Sequence, residues 1–189
     1  AIVILFIFAE PILQVMYGSS HAAVFIKFLA PFFILYYFQY PLQSMLQALD
    51  LAKAAMFNSL AGNILKIGVI WLLASKESFG IMGAAIGIAV GTMLVTFLHF
   101  STVLKVVPFT LHFRSYMSAL VLALISGWGG YYLYQFPLSS QPIGIRLLLS
   151  VTVVILLFTF FLLMTGSIKK ADLIRIPVVG GYLSKLAWK

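Results

Sequence analysis

The chain contains no cysteine, and only four of its 189 residues are acidic. The first absence excludes a disulfide framework, a thiolate metal site and a cysteine nucleophile. The second, with three histidines, leaves little material for a metal centre or an acid/base pair. No metal or cofactor is expected. Charged residues of both signs make up 8 % of the chain, where a water-soluble domain carries about 25 %. Disorder is excluded too, because it needs low hydrophobicity and high charge. What the chain has instead is apolar: 63 % hydrophobic types and a mean hydropathy of +1.12.

The apolar residues fall in six stretches, 1–17, 22–49, 54–75, 79–104, 115–136 and 143–165. A helix rising 1.5 Å per residue crosses a hydrocarbon core of roughly 30 Å with about twenty residues. The fold class is therefore all-α, a polytopic transmembrane helical bundle. The first stretch is short, begins at Ala1, and lacks the basic flank and cleavage site of a signal peptide. It reads as the second half of a spanning helix, so the chain is expected to be a fragment of something longer. Residues 167–189 are basic and amphipathic and form a separate tail. No domain boundary is expected before Gly166. Pro41 predicts a bend in the second stretch.

The formal charge is +8, which in a soluble protein suggests nucleic acid. Here the basic residues sit at membrane edges, so topology and anionic lipid explain them and no nucleic acid is expected. One side would carry Lys53, Lys105, Arg114, Lys169, Lys170, Arg175, Lys185 and Lys189; the other Lys27, Lys76 and Arg146. The richer side is cytoplasmic by the positive-inside rule. This predicts a multi-pass cell-membrane protein with a cytoplasmic C-terminus. The tail either lies on the bilayer with its lysines at lipid phosphates or is an ordinary positive-inside terminus.

Polar residues inside the apolar stretches are the candidates for function. Gln39, Gln43 and Gln47 recur every four residues and so share a helix face, with Tyr36 and Tyr40 close to it. Amides facing hydrocarbon would lack partners at a cost of a few kcal/mol each. The face must meet protein, by interhelical hydrogen bonds, or water, as a cavity wall for sugar or phosphate. Three glutamines over two turns exceed what packing needs, which favours the cavity. Lys66 falls near the middle of stretch 54–75, with Asn63 on the same face. A lysine there costs at least ~2.5 kcal/mol on insertion scales unless water or a counter-charge meets it. It either pairs internally or receives an anionic ligand such as a pyrophosphate. The second is favoured, because Glu10 and Asp50 are the only acids nearby and both are expected nearer membrane edges.

Other residues carry blander readings. Glu10, before Pro11, either binds a coupling proton or cation or pairs with Lys27, and pairing is preferred. Asp50 and Lys53 are expected as a solvated loop pair, and His99 is expected at the interface. His21, His99 and His112 have no metal-ligand spacing. Gly83, Gly87 and Gly91 recur every four residues and suit close helix packing, fixed or as a sliding surface. Trp128, Tyr131, Tyr132 and Tyr134 read as an interfacial belt. No nucleophile elbow, P-loop or zincin signature is present, so catalysis has no visible apparatus.

The runs EPILQVMYGSSHAA, QYPLQSMLQALDLAKAAMFNSLAGNILK and FGIMGAAIGIAVGTMLVTFLHF resemble the C-terminal lobe of polysaccharide-exporter-type flippases. These belong to the multidrug/oligosaccharidyl-lipid/polysaccharide exporter superfamily. The tail KKADLIRIPVVGGYLSKL is similar to the end of a sporulation group within it. The resemblance implies a C-terminal fragment, about helices nine to fourteen, of a fourteen-helix flippase fold. It also implies an undecaprenyl-pyrophosphate-type lipid-linked sugar as substrate, alternating access without ATP hydrolysis, and a missing N-terminal lobe of the same chain. Gln39, Gln43, Gln47, Asn63, Lys66, Tyr36 and Tyr40 would then line the substrate cavity. A drug/cation antiporter of the same superfamily is the alternative. Less favoured are a membrane-embedded enzyme on lipid-linked sugars and a scaffold subunit that does not transport.

Overall fold

A computed structural model describes residues 1–107 and 113–165. They form eight helices: α1 Ile2–Ile7, α2 Ala9–Tyr17, α3 Ala23–Leu29, α4 Ile34–Ala48, α5 Ala52–Ala74, α6 Gly80–Val106, α7 Phe113–Gln135 and α8 Ile143–Met164. A 3₁₀ turn, Ala30–Phe33, joins α3 to α4. No strand occurs among the described residues. Five stretches are long and apolar enough to cross a membrane: Ala23–Ala48, Ala52–Ala74, Gly80–Val106, Tyr116–Gln135 and Ile143–Met164. The protein is an all-α polytopic membrane bundle. His112 and the tail 167–189 lie outside the described residues.

Prolines set the breaks near the N-terminus. Stretch 1–17 is two helices, divided at the buried Phe8. Pro11 has no N–H to give the carbonyl four residues back, that of Ile7, and its ring crowds that oxygen. α1 ends there. Pro31 does the same to the carbonyl of Lys27, and the chain tightens into the 3₁₀ turn. α4 remains one helix through Pro41. That proline leaves the carbonyl of Tyr37 without its helical donor.

The turn from α4 to α5 closes as a Schellman cap. Leu51 N–H donates to the carbonyl of Leu46 at 2.8 Å, and Asp50 N–H to that of Gln47 at 3.2 Å. Asp50 takes the left-handed position, with φ 58°, which glycine adopts more cheaply. Asp50 and Lys53 are both exposed, and no ion pair joins them. The solvated loop pair expected from sequence is a backbone cap instead. Asp50→Gly is expected to raise stability by about 0.5–1 kcal/mol, read as a higher thermal midpoint of the purified full-length protein.

The described residues group into two compact units. The hydropathy pattern does not mark this division. In the first unit α4 and α5 both pack on α6. Leu42, Leu46, Ala55 and Val103 form a buried cluster, with Phe38, Leu51 and Phe100 against it. The α5–α6 contact is closer than side chains normally permit. A Cβ on Gly83 would lie 2.6 Å from the backbone nitrogen of Ala74, and one on Gly91 3.1 Å from the carbonyl oxygen of Gly62. In the second unit α7 packs on α8, where a Cβ on Gly130 would stand 3.1 Å from the carbonyl oxygen of Ser150. Arg146 donates to the carbonyl of Tyr134 at 2.9 Å and lies over the Tyr134 ring, 4.2 Å from its centroid. It thereby satisfies a carbonyl in the last turn of α7. Trp128 and Tyr132 of α7 and Phe136 just after it meet in sequence as tilted rings, with centroids 6.4 and 5.0 Å apart.

Candidate functional site

Three helices of the first unit position the polar residues. α6 presents two rows. Gly83, Gly87 and Gly91 meet α5. Thr92, Thr96, His99 and Val103, all buried, form the other row at helical spacing. The register against α4 is read from two contacts. Thr92 donates to the Tyr36 hydroxyl at 3.1 Å, and Thr96 Oγ1 lies 3.5 Å from Gln39 Oε1. Thr96 gives its proton mainly to the carbonyl of Thr92, at 2.8 Å. Further along, Asn58 of α5 donates to Thr102 of α6 at 3.0 Å, and Thr102 donates back to the carbonyl of Leu98 at 2.7 Å.

The glutamine ladder is divided by this packing. Gln39 is half-buried against α6, Gln43 is half-buried, and Gln47 is exposed. Tyr36 and Tyr40 stack with centroids 6.1 Å apart, but Tyr40 is exposed. Tyr36 and Gln39 therefore make the interhelical contacts, while Tyr40 and Gln47 are open.

Lys66 belongs to a different surface. Its stem crosses Gly91, whose absent side chain makes the room: a Cβ there would lie 2.6 Å from Lys66 Cβ. The ammonium donates to Asn63 Oδ1 at 2.8 Å, one turn back on α5. Both residues retain access to the surface of the unit. Among the described residues no ion pair joins Lys66 to a carboxylate, and no hydrogen bond links Lys66 or Asn63 to Tyr36, Tyr40 or the glutamines of α4. The set predicted to line one cavity falls into two groups, one on α4 and one on α5, the two helices that pack on α6.

His99 is where the sequence reading fails. It is fully buried, not interfacial. Its Nδ1 lies 2.8 Å from the carbonyl of Val95, and its Nε2 has no partner. The missed signal was the recurrence of Thr92, Thr96 and His99 along one stripe of α6, which up to Phe100 is otherwise apolar. Among the described residues no group of three His, Cys, Asp or Glu could hold a metal ion.

Comparison with known proteins adds one decisive match. The chain is 46 % identical to stage V sporulation protein B of Bacillus subtilis (strain 168) over 180 residues, which is 95 % of this chain. The chain is a relative of stage V sporulation protein B. It spans only 35 % of the length of stage V sporulation protein B, about a third. A second relative, sporulation protein YkvU of the same organism, is 29 % identical over 105 residues, 56 % of this chain and 24 % of that protein. No protein-family model matches. No solved structure matches either.

Proposed function

We propose that the chain is part of a flippase that moves a lipid-linked cell-wall precursor across the cytoplasmic membrane during sporulation. The observation that carries this reading is the charge inside the spans. None of the five contains an acidic residue, while Lys27, Lys53, Lys66, Lys105 and Arg146 fall within them. All but Lys66 lie in the first or last two turns of their helices, where long cationic side chains reach the interface. Lys66 is within a turn of the middle of α5. It is held by an amide rather than a carboxylate, so its charge is left for an anion from outside the unit. A pyrophosphate between a polyprenyl tail and a sugar supplies that anion.

On this reading Lys66 and Asn63 bind phosphate oxygens, and the open amides and phenols of α4 meet sugar hydroxyls. The lipid tail stays in the bilayer. Alternating access is rocking of one helical repeat against another about a mid-membrane site. The sporulation context rests on the names of both relatives, and the flippase role on the likeness of the sequence motifs to exporter-type flippases. Because those relatives are much longer, transport is assigned to the longer protein. The C-terminus is assigned to the cytoplasm, its basic tail to anionic lipid.

The test is flipping by the full-length protein in liposomes, with an undecaprenyl-pyrophosphate-linked peptidoglycan unit on one leaflet. Transfer to the other leaflet without ATP is expected. Its absence, together with efflux of a cationic dye, would favour the drug/cation antiporter. That alternative wants a mid-membrane carboxylate, which none of these five spans has.

A further inference from the structure

Arg146 is the one charged side chain in residues 116–165, and it has no part in the flippase reading. Its place follows from Pro137. A proline has no N–H to give, so the carbonyl of Leu133 takes the N–H of Leu138 instead, at 3.2 Å. That same N–H would have been the helical donor for the carbonyl of Tyr134. The Tyr134 carbonyl is left to the side chain of Arg146, at 2.9 Å. The guanidinium also lies over the Tyr134 ring, 4.2 Å from its centroid. Two contacts with one residue thus fix a side chain that otherwise has much rotamer freedom to lose.

This hold uses little of the group. A guanidinium has five N–H donors and no acceptor. One goes to Tyr134 and the Nε–H is buried without a partner, which leaves three on the two terminal nitrogens. The side chain is half-buried. Residues 116–165 contain no acid, and among the described residues no ion pair joins Arg146 to a carboxylate. To satisfy one carbonyl, a single neutral donor is enough. A fixed, charged, planar fork suits a phosphate, which it can bind through two oxygens at once. The level is that of lipid head groups. Arg146 stands in the first turn of α8 and Tyr134 in the last turn of α7, at one end of the hairpin. Trp128, Tyr131 and Tyr132, exposed toward that end of α7, are of the types that settle at a membrane interface.

We propose that Arg146 is a binding site for the head group of an anionic phospholipid, with the ring and carbonyl of Tyr134 aiming its fork. The phosphate supplies the acceptor oxygens and the counter-charge that the chain lacks there. The acyl chains find apolar surface one turn further on, where Leu149 is exposed. A phospholipid is chosen over a lipid-linked sugar because it needs nothing beyond a fork and apolar surface. The site does not rest on the flippase reading, and it is separate from Lys66, which belongs to the other compact unit.

The test is native mass spectrometry of the full-length protein, released from micelles to which phosphatidylglycerol or phosphatidylcholine has been added. The parent protein is expected to retain phosphatidylglycerol in preference. Arg146→Gln keeps an amide donor for the Tyr134 carbonyl. It is expected to lose one retained phosphatidylglycerol, the affinity at that site falling about tenfold or more. Arg146→Lys keeps the charge without the fork and should retain part of the binding. Lys76→Gln, at an exposed lysine in another loop, removes the same charge and should change nothing. Equal retention by the parent and Arg146→Gln overturns the proposal. An equal loss in Lys76→Gln does so too, since the effect would then be one of net charge. Displacement of that phosphatidylglycerol by inorganic phosphate, or by undecaprenyl pyrophosphate in a Lys66→Met background, would show a phosphate or precursor site and overturn the assignment to phospholipid.

Discussion

Lys66→Met is expected to abolish complementation of a precursor-export defect while the protein still folds and inserts. The substitution is chosen from the geometry. Methionine keeps an unbranched stem to cover Gly91, where Lys66 Cβ and Cγ lie in the space a side chain would need. It removes only the ammonium that donates to Asn63. A hydrogen bond from a charged group contributes about 1.5–3 kcal/mol, so binding of the pyrophosphate should weaken by roughly ten- to 150-fold. Loss of a mid-span charge also makes insertion easier, so a fall in protein level is not the expected cause. Lys66→Arg keeps the charge and should retain partial function. Normal complementation by Lys66→Met would remove the role given to this residue.

The second large effect is expected at Gly83. The addition of one methyl group there meets backbone, not a side chain that could swing away. The new Cβ would lie 2.6 Å from both the nitrogen of Ala74 and the carbonyl carbon of Leu73. α5 and α6 must part at that end, or the helix ends must shift. Overpacking of this kind costs typically 1–3 kcal/mol, and a backbone contact places Gly83→Ala near about 3 kcal/mol. Gly68 is the control, because a Cβ there meets nothing within 4 Å. Gly68→Ala should be neutral or stabilising by up to about 1 kcal/mol. Thermal or SDS-induced unfolding of the full-length protein measures both. Equal midpoints for the two variants would show that the α5–α6 contact is looser than described.

Some of this was legible in the residues alone. The apolar stretches and the lack of acids give a helical membrane bundle directly, since nothing else buries so much apolar sequence. The glycine spacing marks a close-packing helix face. The glutamine ladder was only half legible. Spacing by four aligns three residues on one helix, but the partner helix decides which of them it covers. α6 covers Gln39 and leaves Gln47 open. The break at Phe8 was available from Pro11 and its clash with the Ile7 carbonyl, yet the unbroken hydropathy of residues 1–17 hid it. His99 was misplaced because distance from a helix end was read as distance from the core. Its burial follows from α4 and α5 both reaching that end of α6, which is a fact of packing and not of one helix's composition.

The proposed function requires that Lys66, Asn63 and the open amides of α4 face water inside the bundle, not lipid. The lack of cysteine in this stretch allows that to be read one position at a time. Asn63→Cys and Gln47→Cys in the full-length protein, otherwise free of reactive thiols, should react with a charged, membrane-impermeant thiosulfonate and be protected by the lipid-linked pyrophosphate. Leu72→Cys, exposed on the side of α5 opposite Asn63, serves as the reference expected to face lipid. Rapid, substrate-protected modification at 63 and 47 is expected, with none at 72. Cysteines at 63 and 47 as inert as that at 72 would mean that these side chains face acyl chains and that there is no aqueous chamber for a ligand to enter.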